Sequence, residues 1–221
     1  MAHPLKLRVI RNDASPESAV RSSVAAAQED DAALVRALRA GDGRAREALF
    51  DRFAPPVERM LRKILGHDAH TEIADLVHDT FVQALGSLDR LRDASALLAW
   101  MQVIAAHTAH RHIRARTARR WLHFWEPADL PDVPVEDLDP HVRDAYRRTY
   151  AVLDRLSADD RIAFALRHIE GMELTEVAEI CEISLATVKR RIARADARFV
   201  AAAKRDPVLR EWLEEGGRWT T

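Results

Sequence analysis

An acidic, proline-rich segment divides this chain into two halves. Residues 126–140 read EPADLPDVPVEDLDP, with four prolines and six acids in fifteen residues. Proline removes a backbone donor and interrupts helices, and so little apolar surface cannot collapse into a core. The segment therefore predicts a linker over residues 126–141, and we expect the sequences on either side to fold as separate units.

Both flanking sequences have the composition and spacing of α-helices. Only 7 of the 221 residues are glycine, and apolar residues recur at helical spacing, as in the segment that starts near Glu72. We predict an all-α protein of two small helical domains, with Pro55 and Pro56 bending or restarting one helix. The predicted divisions are a flexible tail (1–28), a first domain (29–125), the linker (126–141), a second domain (142–205) and a C-terminal tail (206–221).

The composition excludes several classes of protein. The longest apolar run, ALLAWMQVIAA at residues 96–106, is far shorter than the roughly 20 residues that a membrane span needs. The N-terminus lacks the apolar stretch of a secretion signal. Cys181 is the one cysteine of the chain, so no internal disulfide can form. We therefore expect a cytoplasmic protein without membrane insertion.

Charge is segregated along the chain although its total is close to zero, with 34 basic and 35 acidic residues. The stretch 105–120 has five arginines and no acid, and the stretch 185–205 has seven basic residues and one acid. Two basic blocks on either side of an acidic connector predict two modules that bind a polyanion. The alternative is a pair of solvated helix faces without a ligand.

The second basic block has the pattern of a helix-turn-helix. In MELTEVAEICEISLATVKRRIARADARF, Ser184 is placed to cap the second helix through its hydroxyl. The predicted buried side of that helix carries Val188, Ile192, Ala195 and Phe199 at helical spacing. The opposite side, which we expect to face a DNA groove, carries Ala186, Thr187, Arg190, Ala193, Arg194 and Ala197. Arginine can read guanine edges there, whereas the alternative is an ordinary basic helical hairpin.

The turn between these helices lacks the usual glycine. Glu182 occupies it, and a left-handed backbone at this residue would cost roughly 1–2 kcal/mol.

Together the two blocks resemble the extracytoplasmic-function (ECF) group of the sigma-70 family, the promoter-specificity subunits of bacterial RNA polymerase. Residues 30–122, including EIADLVHDTFVQAL and AWMQVIAAHTAHRHIRAR, are similar to region 2 of the family. Residues 142–204, including the helix-turn-helix, are similar to region 4. The resemblance implies a non-enzymatic factor that needs no cofactor or metal. It also implies three kinds of partner: core RNA polymerase, double-stranded and melted promoter DNA, and an anti-sigma factor.

The resemblance also implies roles for particular residues. The positions that match the surface for core polymerase are Asp75, Leu76, His78, Asp79 and Phe81. Those that match the part that melts the −10 element are Arg90, Arg92, Trp100, His107, His110, Arg111, Arg114 and Arg116. Those that match the reader of the −35 element are Ser184, Thr187, Lys189, Arg190 and Arg194.

Three other readings of the sequence stay open at this point. His107, His110 and His112 lie close together as metal ligands might, but they stand among arginines that repel a cation. A free-standing transcription factor would bind DNA without polymerase and would not need the DLVHDTF surface. A degenerate sigma-like protein kept only for protein binding is suggested by His78, His107 and Arg111, where the family commonly has Gln, Asn and Asp.

Overall fold

The computed structural model of the protein describes residues 29–66, 70–122 and 140–214, and these ranges are helical. The helices are α1 (29–39), α2 (Gly43–Leu65), α3 (His70–Gly86), α4 (Leu97–Leu122), α5 (Pro140–Leu153), α6 (Ala158–Phe164), α7 (Leu174–Ile180), α8 (Leu185–Ala203) and α9 (Pro207–Glu214). Short 3₁₀ turns at Leu88–Arg90 and Ala94–Ala96 precede α4, and a π-turn at Ala165–Ile169 extends α6. The all-α prediction is confirmed, with no strand in the described ranges.

Two predicted segments fall largely outside that description. The N-terminal tail, 1–28, and the linker as far as residue 139 are not among the described residues. Within the described ranges, no helix is both long and apolar enough to cross a membrane.

The paired prolines do not interrupt α2. Pro55 and Pro56 lie inside the helix Gly43–Leu65, so the predicted restart does not occur. Phe53 and Val57, on either side of the pair, are buried, and α2 packs against both α3 and α4. Tertiary packing of this apolar face holds the helix together where proline removes backbone hydrogen bonds.

The buried core continues across the two predicted domains. Helix α4 packs against α2 and α3 on one side and contacts α6 and α7 of the second half. Ile162, Leu166 and Val177 belong to the same buried cluster as Leu97 and Met101. The two predicted units are therefore in direct apolar contact, which brings the second half of the chain onto α4.

The end of α2 is capped by the second half of the chain. A helix leaves its last four carbonyl groups without partners of its own. The Arg161 guanidinium donates to the carbonyls of Ile64 and Leu65, both at 2.8 Å, and the Tyr150 hydroxyl donates to the carbonyl of Lys63 at 2.8 Å. Arg161 is only 2% exposed, and its positive charge also complements the negative end of the helix dipole.

Part of the predicted C-terminal tail is a packed helix. Leu209 of α9 is fully buried in a second cluster that also holds Leu153, Phe164 and Phe199. The Asp206 carboxylate accepts from the backbone N–H groups of Val208 and Leu209 at 3.0 and 3.2 Å. This cap and the burial of Leu209 explain why residues 207–214 form an ordered helix inside the predicted tail.

Candidate nucleic-acid interface

Helix α8 has the two faces that the sequence predicts. Its core side, Val188, Ile192, Ala195 and Phe199, is buried. Its outer side is exposed at Ala186, Lys189, Arg190, Ala193, Arg194 and Ala197. The outer side is therefore basic, with small alanine side chains between the cations, which suits a helix that enters a major groove.

The start of α8 is fixed by its cap. The Ser184 hydroxyl accepts from the Thr187 N–H at 3.2 Å and lies 2.9 Å from the Thr187 hydroxyl. This confirms Ser184 as the N-cap and leaves both hydroxyls paired with each other. Their predicted contacts to the −35 element stay a prediction.

The turn before α8 has the strained backbone that the sequence indicated. Glu182 has φ of 52°, the one positive φ among the described residues other than glycine. Its carboxylate lies 3.2 Å from Nε2 of His107 on α4. Left-handed non-glycine residues concentrate at functional sites, and here the position carries a side chain that glycine could not supply.

A pair of acids in the first turn of α6 holds the arginines of α8. The Arg194 guanidinium donates to both oxygens of Asp160, with Nε at 2.8 Å, and Arg198 lies 3.6 Å from the same carboxylate. Arg191 lies 3.2 Å from Asp159. Burial of Asp160 alone would raise its pKa, but the hydrogen bonds from Arg194 and Ser157 and the charges of Arg194 and Arg198 outweigh it and hold the pKa below its ordinary value.

This pairing changes what is expected of Arg194. Because Asp160 is only 1% exposed, Arg194 is the bidentate partner that a buried carboxylate needs. Of the predicted readers, Lys189 and Arg190 are exposed cations that make no side-chain hydrogen bond or ion pair within the described residues. The sequence analysis did not single out Asp159 and Asp160, although two acids after a capping serine are a typical helix start.

The basic side of α4 meets acids from the second half of the chain. Nε2 of His110 lies 3.2 Å from Asp159, and the Arg116 guanidinium lies 3.6 Å from Asp154. His107 meets Glu182 in the same way, as described above. Three of the predicted −10 residues are therefore in contact with carboxylates that precede α6, begin α6 or follow α7.

The remaining predicted residues of the −10 site are more open. Arg90, Arg92, Arg111 and Arg114 are exposed, and Trp100 is half-buried against the core. The loop 87–96 leads directly into α4, so its arginines and Trp100 lie in one continuous segment. The predicted role of Trp100 in holding a flipped base stays a prediction.

The loop 87–96 is held by a residue of α1 that was not among the predicted site residues. The Arg39 guanidinium, at the end of α1, donates to the carbonyl of Leu91 at 2.7 Å and to that of Leu88 at 3.3 Å. Leu88 and Leu91 are themselves buried, at 7% and 5% exposure. No local pattern connects residues about fifty positions apart, so sequence periodicity could not reveal this contact.

The predicted polymerase surface on α3 divides into an exposed and a buried part. Asp75, His78 and Asp79 are exposed, as expected. Leu76 and Phe81 are each only 6% exposed and belong to the core, because helical spacing turns these two positions inward. Leu76 or Phe81 could contact polymerase directly only if the core opened. In the closed core, these residues pack beneath the exposed positions of α3.

Apolar residues extend the exposed part of α3. Val82 is 54% and Leu85 is 37% exposed, and Phe50 of α2 is 47% exposed. The Phe50 and Phe81 rings pack at 5.0 Å between centroids. A mixed acidic and apolar face of this kind is suited to a protein partner.

The clustered histidines have partners other than a metal ion. His112 lies 3.0 Å from Glu72, and burial, followed by the charges of Arg116 and Arg119, lowers its pKa against the opposing effect of Glu72. In the part of the chain that the structure describes, no three His, Cys, Asp or Glu side chains are grouped so as to hold a metal ion.

An all-helical fold that combines a helix-turn-helix with a second basic helix defines a DNA-binding protein built from two modules. Comparison with known families identifies both modules. The sigma-70 region 2 model matches residues 49–119, and the sigma-70 region 4 model matches residues 146–198.

Whole-chain relatives agree with the family models. The ECF RNA polymerase sigma factor SigC of Mycobacterium tuberculosis is 30% identical over 188 residues, which cover 82% of this chain and 97% of the relative. The ECF RNA polymerase sigma-E factor of Haemophilus influenzae is 29% identical over 182 residues, or 77% of this chain and 93% of the relative. The structure of CnrH in complex with the cytosolic domain of CnrY matches with a TM-score of 0.53 and 25% identity, over 80% of this chain and 98% of CnrH.

The chain therefore belongs to the sigma-70 family, in its ECF group. It is a sigma factor, a transcription initiation factor that binds core RNA polymerase and directs it to promoter DNA.

Proposed function

We propose that the chain divides promoter recognition between two of its helices. Helix α8 reads the −35 element, and the loop 87–96 with α4 opens the −10 element. The exposed outer side of α8 carries this proposal, because Lys189 and Arg190 stand there beside small side chains. Arginine can donate two hydrogen bonds to a guanine edge in the major groove.

The exposed face of α3 is the proposed contact with core polymerase. Asp75, His78 and Asp79 supply its polar part, and Val82 supplies apolar area beside them. Polymerase carries out RNA synthesis, so the chain needs no catalytic residue of its own. It acts in the cytoplasm, where polymerase works.

The arrangement of the two halves corresponds to a closed, DNA-free form. Glu182, Asp159 and Asp154 lie against His107, His110 and Arg116. Carboxylates and DNA phosphates compete for the same hydrogen-bond donors and cations. Promoter DNA can therefore reach this side of α4 only after the second half of the chain has moved away.

An anti-sigma factor is the proposed third partner. The similar protein CnrH was solved in complex with the cytosolic domain of CnrY. A protein that binds this chain and keeps the second half on α4 would prevent −10 binding without touching the outer side of α8.

Run-off transcription tests the proposed division of roles. Purified protein is combined with bacterial core polymerase on a template from the chain's own upstream region, on which core alone is silent. We expect specific initiation, and we expect Asp75→Lys and Arg190→Ala to abolish or strongly reduce it. Glu211→Lys on α9 and Arg205→Ala after α8 are matched controls, because both side chains are exposed and lie outside the two matched regions.

The outcomes separate the remaining alternatives. A clean footprint without polymerase, and no initiation with it, would favour a free-standing transcription factor. Core binding with neither footprint nor initiation would favour a degenerate protein-binding module. Full activity of Asp75→Lys would refute the α3 surface.

A further inference from the structure

The loop 87–96 is built from alternating anchors and exposed cations. Leu88 and Leu91 are buried, whereas Arg90 and Arg92 are exposed. Two short 3₁₀ turns and the Asp93 side chain, which accepts from the Ser95 N–H at 2.9 Å, give the loop a defined backbone. The orientation of both arginines therefore depends on how firmly this backbone is held.

Arg39 supplies that hold from another part of the chain. One nitrogen of its guanidinium donates to the carbonyls of Leu88 and Leu91, and these two residues bracket Arg90. Helix α1 is itself fixed, because Val35 and Leu38 are buried in the core. The contact thus joins a rigid helix to the short loop and adds to the turn hydrogen bonds that the loop makes within itself.

We propose that Arg39 is a positioning residue for −10 recognition: it fixes the loop 87–96 so that Arg90 and Arg92 are presented to DNA without further ordering. This inference rests on the proposed role of the loop in opening the −10 element. A loop that is already ordered loses less conformational entropy when it binds. Arg39 lies ahead of the matched region 2, which begins at residue 49. The contact with the loop is therefore made by the helix that precedes that region.

The test compares Arg39→Met with Arg36→Met in complexes with core polymerase. Methionine keeps an extended apolar chain and removes the donors. Arg36 is the matched control, since it is exposed on α1 one turn earlier and its side chain makes no hydrogen bond within the described residues. The probe is forked DNA that carries the single-stranded −10 strand of the promoter mapped by run-off transcription, and affinity is followed by fluorescence anisotropy.

We expect Arg39→Met to weaken binding of the forked probe roughly tenfold, since two hydrogen bonds to partly buried carbonyls are lost. Binding of a −35 duplex and of core polymerase should match wild type. Arg39→Lys, which keeps a cationic donor, should recover part of the loss. Hydrogen exchange should become faster in residues 87–96 and stay unchanged elsewhere in the first domain.

Three outcomes would overturn the inference. One is forked-probe affinity in Arg39→Met equal to that in Arg36→Met. Another is faster exchange throughout the first domain, which would mean a general structural role. The third is equal weakening of −35 duplex binding.

The double variant Arg90→Ala and Arg92→Ala keeps this test separate from the proposed function. If that variant binds the forked probe like wild type, the role of the loop in −10 recognition fails. If the double variant is weakened while Arg39→Met is not, the loop keeps its role and the positioning by Arg39 is refuted.

Discussion

Helices α4 and α8 are both basic, yet their charged sides have different surroundings. The outer side of α8 is exposed, and its Arg191, Arg194 and Arg198 pair with acids of α6 in the same half of the chain. On α4, His107, His110 and Arg116 pair with acids from the other half. The proposed −35 reader is therefore arranged by local contacts and is accessible, whereas access to the proposed −10 reader depends on the relative placement of the two halves.

The largest expected effect comes from removing the contact that joins the halves. Arg161→Met leaves the carbonyls of Ile64 and Leu65 without donors and Asp154 without its buried partner. Each buried carbonyl that is left unsatisfied in this way costs about 1–3 kcal/mol. Chemical denaturation should show a loss of this size in the free energy of unfolding. Arg155→Met, at an exposed position, is the control, and equal stability of the two variants would contradict the capping role.

Substitutions of two arginines of α8 should separate base recognition from stabilisation of the fold. We expect Arg190→Ala to relax the base preference at one −35 position by about 1–3 kcal/mol while stability is unchanged. Arg194→Ala should lower stability, because Asp160 loses its bidentate partner. Since the folded pKa of Asp160 lies below the unfolded value, the contribution of the pair is present above pH of about 4 and disappears as pH falls through the folded pKa. A footprint unchanged in both variants would remove α8 from −35 recognition.

A smaller effect should follow from removing the acids that cover α4. The double variant Asp159→Asn and Glu182→Gln weakens the contacts with His110 and His107. Partly exposed contacts of this kind contribute roughly 0.2–1 kcal/mol each, or about 0.4–2 kcal/mol for the two together. Binding of forked −10 DNA by the free protein should therefore rise between about two- and thirtyfold. Glu179→Gln on α7, also exposed, should leave it unchanged. If the double variant binds no better than Glu179→Gln, the acids do not compete with DNA.

The smallest effect concerns salt dependence. Arg114 is exposed and Arg116 is half-buried beside Asp154. Replacing either with alanine should reduce the slope of log affinity against log salt by about one for each phosphate contact that is lost. The change should appear for Arg114→Ala in the free protein, and for Arg116→Ala mainly in the complex with polymerase, where the halves are apart. An unchanged slope in both settings would place these arginines away from the DNA.

Local features of the fold could be predicted from sequence, and distant contacts could not. The Ser184 cap, the left-handed Glu182 and the two faces of α8 follow from residue types and helical spacing. The capping of α2 by Arg161 joins residues 96 and 97 positions apart, and no periodicity encodes it. The same holds for Arg39 and the loop carbonyls.

The predicted polymerase surface on α3 stays a prediction, and the structure adds which of its five positions are exposed. The family motif covers five positions of α3 that lie close together in sequence. Helical spacing turns Leu76 and Phe81 inward, whereas Asp75, His78 and Asp79 face outward. Helix α2 shows that tertiary packing can also override a local signal. Burial of Phe53 and Val57 outweighs the tendency of Pro55 and Pro56 to interrupt a helix.

The position of Cys181 makes the reactivity of its thiol depend on whether the two halves are in contact. This thiol lines a cleft of about 160 Å³ together with Ala106 and His107 of α4, and burial raises its pKa to about 11. Separation of the two halves would bring water to the sulfur and return the pKa toward its ordinary value of 9.0, which raises the reactive thiolate fraction at neutral pH about a hundredfold. Because the chain has one cysteine, the alkylation rate of the unlabelled native protein would report the open fraction directly, before and after polymerase is added.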